Sequence, residues 1–324
     1  MTRKEKNKKL NDDFNAVAKK AEEAQKASAE NEADAFDYDE KTVALFDGEK
    51  AEPAVADNKT EMFVEAPVEV GASSVIGQRK NQEDCIKTPE NGKMIAPDGT
   101  VKFICVLSDG MGGLSGGEVA SKIATENLFA DYYQLMWQAK TEPYMQFFDR
   151  ESGVINDQIL ALKDSDGVPL RAGATLIAVA VEGNEMHFLN IGDSRIYLIR
   201  AGKMLQLTHD QNYYSVLKEK VLAGEITEEE ANTHPKREAL VSYLGIDDLK
   251  IKEINLKPVE MQRGDVVLMC SDGLYRLLSE DEITQIVSER LGNINTAAFR
   301  LTEVATNKNY RGQDNTSVIL IKFN

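Results

Sequence analysis

Residues 174–207 have the sequence ATLIAVAVEGNEMHFLNIGDSRIYLIRAGKMLQL, and this stretch indicates the fold more clearly than any other. Short runs rich in β-branched and aromatic residues are separated by turn residues at a spacing of about ten, which predicts an antiparallel meander. Residues 176–181 are apolar at every position, so we predict a strand that is covered on both faces. An antiparallel sheet with such a strand suggests a sandwich with further layers outside.

Helical patterns flank the meander and do not alternate with single strands. Apolar residues recur at helical spacing between 117 and 137, and capping boxes begin at Thr227 and Ser279. The final run, residues 316–323, has the pattern of a strand. This grouping favours an α+β fold of stacked layers over a parallel doubly wound sheet.

The composition of the chain changes near residue 67. Residues 1–66 are rich in Ala, Lys, Glu, Asp and Asn, so they bury too little apolar surface to offset the entropy lost on ordering. We therefore predict a charged, mobile N-terminal extension over 1–66 and one compact domain over 67–324. A polar segment at about 211–244 interrupts the strand pattern and predicts a surface flap.

The predicted extension contains two similar pieces, DEKTVALF at 39–46 and DNKTEMF at 57–63. Two interpretations stay open: a solvated tail with chance similarity, or a docking motif that a kinase phosphorylates at Thr42 or Thr60. In the second interpretation the extension regulates the compact domain.

Charge and hydropathy exclude two classes of partner. The 324 residues carry a formal net charge of -16, whereas nucleic-acid binding needs clustered Lys and Arg. No apolar run approaches the roughly 18 to 20 residues that span a bilayer, and no apolar segment follows the basic N-terminus as in a secretory signal. We expect no nucleic-acid partner and no membrane insertion.

The cysteines indicate a reducing compartment. Cys85, Cys105 and Cys270 are odd in number and lack clustered spacing, which argues against a disulfide framework and against a zinc site. Two of them lie inside apolar runs, where a reduced cysteine acts as a small hydrophobic side chain. A cytoplasmic location fits these features best.

Carboxylates follow apolar runs at two similar places. In FICVLSDGMGG (103–113) and VVLMCSDGLYRLL (266–278) an apolar run is followed by Ser-Asp-Gly, which contains Asp109 and Asp272, and Asp314 stands just before the final strand. Any one of these acids is explained by a turn, since Asp-Gly is a common turn dipeptide. The repeated pattern favours a shared site, where carboxylates converge around a cation and oxygen ligands select Mg²⁺ or Mn²⁺.

Three other features belong to this candidate site. Gly110 lets the backbone come close, so its carbonyl is a further candidate ligand. Glu83–Asp84 and Asp193 are additional acidic positions. The glycine-rich residues 110–117 lack the Lys-Ser/Thr ending of a nucleotide-binding loop, so we interpret them as a flexible turn beside a metal.

Six motifs in a fixed order carry a resemblance to a known family over about residues 75–322. They are Arg79-x-Asn81-x-Glu83-Asp84, Ser108-Asp109-Gly110-Met111-Gly112-Gly113, Gly173-Ala174-Thr175, Gly192-Asp193-Ser194-Arg195, Ser271-Asp272-Gly273-Leu274 and Asp314-Asn315-Thr316. Together they resemble the PPM-type metal-dependent serine/threonine protein phosphatases, the protein phosphatase 2C family. Residues 210–245 are similar to the flap of bacterial members.

The resemblance implies a four-layer α/β/β/α sandwich with two central antiparallel β-sheets and two Mn²⁺ or Mg²⁺ ions at one edge. By match of motif, Asp109 would bridge both ions, the Gly110 carbonyl would bind one, and Asp272 and Asp314 would hold the second. Asp193 would help to hold a third, weaker ion.

The same resemblance implies the reaction. Glu83 and Asp84 would act through metal-bound water, and Arg79 would clamp the phosphate, which suits its planar guanidinium. Water activated by two ions would hydrolyse phosphoserine or phosphothreonine in proteins without a covalent intermediate. Met111 departs from animal members, which often have His there, so the proton donor to the leaving group is unassigned.

Two functions from different classes follow as hypotheses. The first is a protein phosphatase whose partners are phosphoproteins, including a Ser/Thr kinase and its targets. The alternative is a catalytically weak, phosphatase-like scaffold that binds a phosphoprotein or a kinase. The first is favoured because none of the expected metal acids is missing from the sequence.

Overall fold

The structure is a computed structural model that describes residues 67–90, 95–96, 99–112, 116–137 and 142–324. The predicted extension over 1–66, with Thr42 and Thr60, lies outside the described residues, as does the middle of the glycine-rich segment, at 113–115. The division of the chain at residue 67 therefore stays a prediction.

Strands and helices have the following bounds in the described residues. The strands are β1 (Val68–Val75), β2 (Asp84–Lys87), β3 (Lys102–Gly112), β4 (Ala172–Ala174), β5 (Leu176–Glu182), β6 (Glu185–Ile191), β7 (Arg195–Arg200), β8 (Lys203–Gln206), β9 (Glu253–Ile254), β10 (Val259–Glu260), β11 (Val266–Cys270) and β12 (Thr316–Phe323). The helices are α1 (Gly116–Trp137), α2 (Tyr144–Leu160), α3 (Tyr213–Leu222), α4 (Glu228–Asn232), α5 (Asp272–Tyr275), α6 (Glu280–Ser288) and α7 (Ile294–Asn307).

The strands form two antiparallel sheets. The first sheet has the order β1-β12-β11-β7-β8, and the second has the order β10-β6-β5-β3-β2, with β4 paired to β3 and β9 paired to β6. Each named strand pair is antiparallel. The predicted pair of central antiparallel sheets is confirmed.

Three apolar layers hold the sheets and helices together. The layer between the sheets includes Val179 of β5 and Leu198 of β7. Alternate residues of β5, such as Ala178, face the opposite way and pack with α1 and α2. The outer face of the first sheet packs with α5, α6 and α7. The order of layers is therefore α/β/β/α, and the apolar run at 176–181 is buried on both faces as predicted.

The predicted helix signals are also confirmed. The helical pattern at 117–137 corresponds to α1. The boxes at Thr227 and Ser279 cap α4 and α6, where each hydroxyl accepts a hydrogen bond from a backbone N–H in the first turn.

The prediction of a single meander over 174–207 is wrong. β5 and β6 form a hairpin in the second sheet, whereas β7 and β8 pair in the first, so the chain changes sheets at 192–194. Gly192 makes this possible because it has a φ of 107°, and a Cβ there would lie 2.7 Å from Thr175 Cγ2. Asp193 is thereby placed between the two sheets.

The predicted turn over 110–117 does not begin directly after Asp109. β3 continues through Asp109 to Gly112, and residues 110–112 pair with Ala172–Ala174 of β4. Asp109 therefore lies inside a strand and not at its tip. Asp272 does follow a strand, but it begins helix α5 after the N-cap residue Ser271.

Residues 211–244, the predicted flap, contain helices α3 and α4 and a small apolar cluster. Tyr213, Val216, Leu217 and Ala231 form the buried part of this cluster. Isolated bridges join Asn212 to Leu240 and Ala174 to Leu244. The segment thus has its own packing and returns to the sandwich beside β4.

None of the described helices combines the length and the apolar character needed to cross a membrane. All three cysteines are free thiols, and Cys105 and Cys270 are buried.

Truncating a side chain between the sheets should destabilise the fold strongly. Leu198→Ala removes a buried side chain, so we expect the free energy of unfolding to fall by about 2–5 kcal/mol. The matched control is Leu222→Ala, because Leu222 is 89% exposed and its loss should cost less than about 0.5 kcal/mol. Urea denaturation measures both, and equal losses would contradict the sandwich core.

Candidate functional site

Asp84 and Asp109 lie side by side at the edge of the second sheet. In the β2–β3 pair Asp84 is directly opposite Asp109, so the two side chains project from the same face of the sheet. Leu107 shares that face and packs in the layer between the sheets. The two carboxylates therefore lie where the sandwich interior meets its rim.

Thr175 fixes the backbone of Asp109. The Asp109 N–H donates to Thr175 Oγ1 at 2.9 Å, and the Thr175 N–H donates to the Asp109 carbonyl at 2.9 Å. Thr175 Oγ1 also lies 2.8 Å from Ser194 Oγ, beside Asp193. One threonine thus connects the strand of Asp109 to the turn of Asp193.

Gly110 allows the segment of Glu83 to approach β3. The Gly110 N–H donates to the Glu83 carbonyl at 3.0 Å, and a Cβ at Gly110 would lie 2.6 Å from the same oxygen. A side chain at residue 110 would therefore push the segment of Glu83 and Asp84 away from Asp109.

Ser271 joins the two sheets at this rim. Its N–H donates to the Ser317 carbonyl at 3.1 Å, and its Oγ accepts from the Ser317 N–H at 3.0 Å. The same Oγ donates to Asp84 Oδ2 at 2.8 Å. Asp84 of the second sheet is therefore held by a residue that connects β11 and β12 of the first.

Asn315 joins the segments of Glu83 and Asp314. Its side-chain oxygen accepts from the Glu83 N–H at 2.7 Å, and its Nδ2 donates to the carbonyls of Ile76 and Asn81 at 2.8 and 3.1 Å. The neighbouring Asp314 carboxylate pairs with the guanidinium of Arg79, which is half exposed. Asn315 thereby places Arg79, Glu83 and Asp314 on one side of the site.

Arg276 was missed by the sequence reasoning. Its Nη2 lies 3.0 Å from Asp272 Oδ2 and 3.6 Å from Asp193 Oδ2, and its Nη1 lies 2.9 Å from Glu238 Oε2 in the flap. The signal was the spacing of Asp272 and Arg276, four residues apart on a helix. Arg276 connects two predicted metal acids to the flap.

Burial and mutual repulsion disfavour ionisation of these acids. Burial raises the pKa of Asp84 to about 7, against hydrogen bonds from serines that lower it. Burial and then Asp272 raise the pKa of Asp193 to about 7. The pKa of Asp109 lies well above its usual range because it is buried among Asp84, Asp272 and other carboxylates.

The pKa values of two neighbouring acids are shifted in the same direction. Burial raises the pKa of Asp272, although Arg276 opposes the shift, and burial also raises the pKa of Glu83. Buried like charges of this kind are stabilised by cations.

The rim residues offer the oxygen donors that divalent cations prefer, but their side chains are not grouped around a single ion position. Asp84 Oδ1 and Asp272 Oδ1 are buried without a hydrogen-bond partner among the described residues, and the donor atoms are all oxygens. No three His, Cys, Asp or Glu side chains in the described ranges are grouped closely enough to hold an ion. Arg79 and Arg276 instead supply positive charge to Asp314 and Asp272.

Comparisons with known proteins show which family and which solved structures this chain is similar to. The family model of protein phosphatase 2C matches residues 93–305. The serine/threonine phosphatase stp of Listeria welshimeri is 31% identical over 221 residues, which is 68% of this chain and 84% of that protein.

Solved structures of two phosphatases are similar to this chain. The S. agalactiae serine/threonine phosphatase has a TM-score of 0.66 and 28% identity, with 79% of this chain and 100% of that chain covered. The catalytic domain of the serine threonine protein phosphatase PstP, in complex with two manganese ions, has a TM-score of 0.59 and 28% identity, with 79% and 97% covered.

Without divalent cations the protein should lose stability as the pH rises from 5 to 7.5. Asp84 and Asp193 have raised pKa values of about 7, so in this range the folded chain holds protons that the unfolded chain has released. We expect the thermal midpoint in chelator to fall across that range, and Mn²⁺ to raise it more at pH 7.5 than at pH 5.5. Differential scanning calorimetry measures both.

Asp84→Asn is the control for this pH dependence. It removes one of the shifted groups, so the fall of the midpoint in chelator should become smaller. A Mn²⁺ stabilisation that is equal at both pH values would contradict the assignment of these carboxylates to a cation site.

Proposed function

We propose a function for this chain on one premise: it belongs to the protein phosphatase 2C family. The chain hydrolyses phosphoserine and phosphothreonine in proteins. The observation that carries this proposal is the rim where Asp84, Asp109 and Asp272 lie close together, with a buried oxygen on Asp84 and another on Asp272 that lack a hydrogen-bond partner among the described residues. Acids of this kind suit a site that binds cations and a phosphate.

Divalent cations would be held by the rim acids. In the proposal Asp109, the Gly110 carbonyl, Asp272 and Asp314 hold two Mn²⁺ or Mg²⁺ ions. Support comes from the oxygen-only donors and from the PstP catalytic domain in complex with two manganese ions. Such ions, when bound, lower the pKa of water and neutralise charge on phosphoryl oxygens.

The chain itself supplies positioning and charge around the phosphate. Arg79 lies half exposed beside Asp314, so its planar guanidinium can donate two parallel hydrogen bonds to phosphate oxygens. Ser271 holds Asp84 Oδ2, which leaves Oδ1 to accept a hydrogen bond from the attacking water. Glu83, whose backbone N–H donates to Asn315, would orient the same water.

The proton for the leaving group does not come from Met111. Residue 111 lies in β3 opposite Gly173, and its thioether carries no proton to give. In the proposed reaction the leaving alkoxide takes its proton from solvent at the rim.

The proposed partners are phosphoprotein substrates. A kinase that shares these substrates and a cytoplasmic location stay predictions of the sequence. One observation favours the alternative function, a catalytically weak scaffold: Asp272 and Asp314 are paired with arginines, and no three-ligand group is formed among the described residues. The two functions differ in metal-dependent turnover.

Replacing the proposed ligands should remove turnover. Asp109→Asn and Asp272→Asn each remove one anionic ligand, so we expect kcat on an aryl phosphate with Mn²⁺ to fall by at least about 100-fold. Asp248→Asn is the matched control, because Asp248 is exposed, pairs with Lys250 and is not one of the proposed ligands. A wild-type protein without Mn²⁺-dependent activity, or Asn variants that keep it, would favour the scaffold.

Loss of the Ser271 hydroxyl should weaken catalysis without removing a ligand. Ser271→Ala removes the hydrogen bond to Asp84 Oδ2, and we expect kcat to fall by about 10–100-fold. Ser152→Ala is the control, because Ser152 is equally buried but donates within helix α2. Steady-state kinetics and thermal midpoints of both variants separate catalysis from stability, and an unchanged kcat in Ser271→Ala would contradict the proposed role of Asp84.

A further inference from the structure

We propose that Arg276 takes the place of a third divalent cation in this chain and attaches the flap to the metal site. The inference rests on the proposed two-ion function and departs from the third ion that the family resemblance implied at Asp193. It follows from where the Arg276 guanidinium lies.

A single nitrogen of Arg276 faces Asp193, which the resemblance assigns to the third ion, and Asp272, the acid that lies beside it. Nη2 is 3.0 Å from Asp272 Oδ2 and 3.6 Å from Asp193 Oδ2. A cation that bridges these two carboxylates has to enter the space that the guanidinium fills. The positive charge already there repels a second cation, and displacing Arg276 would separate it from two partners.

Asp193 depends on Arg276 for a positive charge that compensates its carboxylate. It is buried at 5% exposure, and among the described residues Arg276 is the cation that pairs with it. Arg195 pairs with a different acid, because it donates two hydrogen bonds to Asp210 at 2.8 and 2.7 Å. Removing Arg276 would therefore leave a buried carboxylate without a partner charge.

The neighbouring side chains hold Arg276 in this place. The Tyr275 hydroxyl donates to the Asp193 carbonyl at 3.0 Å, and the Arg195 guanidinium lies 3.7 Å from the centre of the Tyr275 ring. Helix α5 is thus fixed against the turn of Asp193. Because Arg276 directly follows this helix, its guanidinium is presented to both acids.

The same guanidinium connects to the flap. Arg276 Nη1 lies 2.9 Å from Glu238 Oε2. The residues on either side of Glu238 are tied to the start of α3, because the Tyr214 N–H donates to the Arg237 carbonyl and the Tyr213 N–H to the Ala239 carbonyl, each at 2.8 Å. Arg276 therefore joins the flap to Asp193 and Asp272 through one side chain.

Counting bound Mn²⁺ tests the inference independently of activity. We expect equilibrium dialysis to give two ions per chain for the wild-type protein and three for Arg276→Asp, which removes the cation and adds a carboxylate. Arg300→Asp is the control, because it makes the same change of charge at a residue that pairs with Glu303 on α7. This control should keep two ions.

Each other outcome overturns the inference in a distinguishable way. Three ions in the wild-type protein, or two in a folded Arg276→Asp, would overturn the role of Arg276 and leave the proposed function standing. No bound ion in the wild-type protein would overturn the two-ion function together with it. Circular dichroism establishes whether each variant is folded.

Glu238→Gln tests the attachment of the flap if Arg276→Asp fails to fold. It weakens the ion pair with Arg276 but leaves both acids and the guanidinium in place. We expect faster amide hydrogen exchange in α3, with two Mn²⁺ ions still bound. Glu303→Gln is the control, and unchanged exchange in Glu238→Gln would overturn the attachment.

Discussion

Repulsion between buried carboxylates at one rim of the sandwich is the constraint to which the rest of the site responds. Asp84 and Asp109 are opposite each other in adjacent strands, and Asp272 and Asp193 both lie at the guanidinium of Arg276. Burial raises the pKa of each of them, and neighbouring carboxylates raise it further. Charges placed in this way are stable only beside cations, so the rim needs arginines, metal ions or both.

The fold resists this repulsion because hydrogen bonds fix the backbones of Asp109 and Glu83 and the side chain of Asp84. Thr175 holds Asp109, Ser271 holds Asp84 across the two sheets, and Asn315 holds the Glu83 segment against that of Asp314. These polar residues are themselves buried at the edge of the apolar layer. The carboxylates therefore cannot move far apart without breaking hydrogen bonds that join the sheets, which keeps the acids close enough to share cations.

The α/β/β/α layers are predictable from the sequence because they depend on local patterns. The apolar run in β5 and the capping box of α6 each determine a structure within a few residues. The sequence is a poor guide to features that depend on residues far apart in the chain. The change of sheet at Gly192 is hidden because strands of both sheets have the same alternation, and β4 is too short and too rich in small residues to show a strand signal. In the sequence alone Arg276 looks like an ordinary solvent-exposed charge, because only the fold brings Asp193 beside it.

A charge shared between the flap and the site has a thermodynamic consequence. In the proposed arrangement Arg276 divides its ion pairs among Asp193, Asp272 and Glu238. Any event that pulls the guanidinium toward the flap exposes the two aspartates to each other, and any cation that compensates them weakens the hold on Glu238. The free energy of this coupling is the same in both directions. The position of the flap and the cations bound at the rim are therefore two parts of one equilibrium.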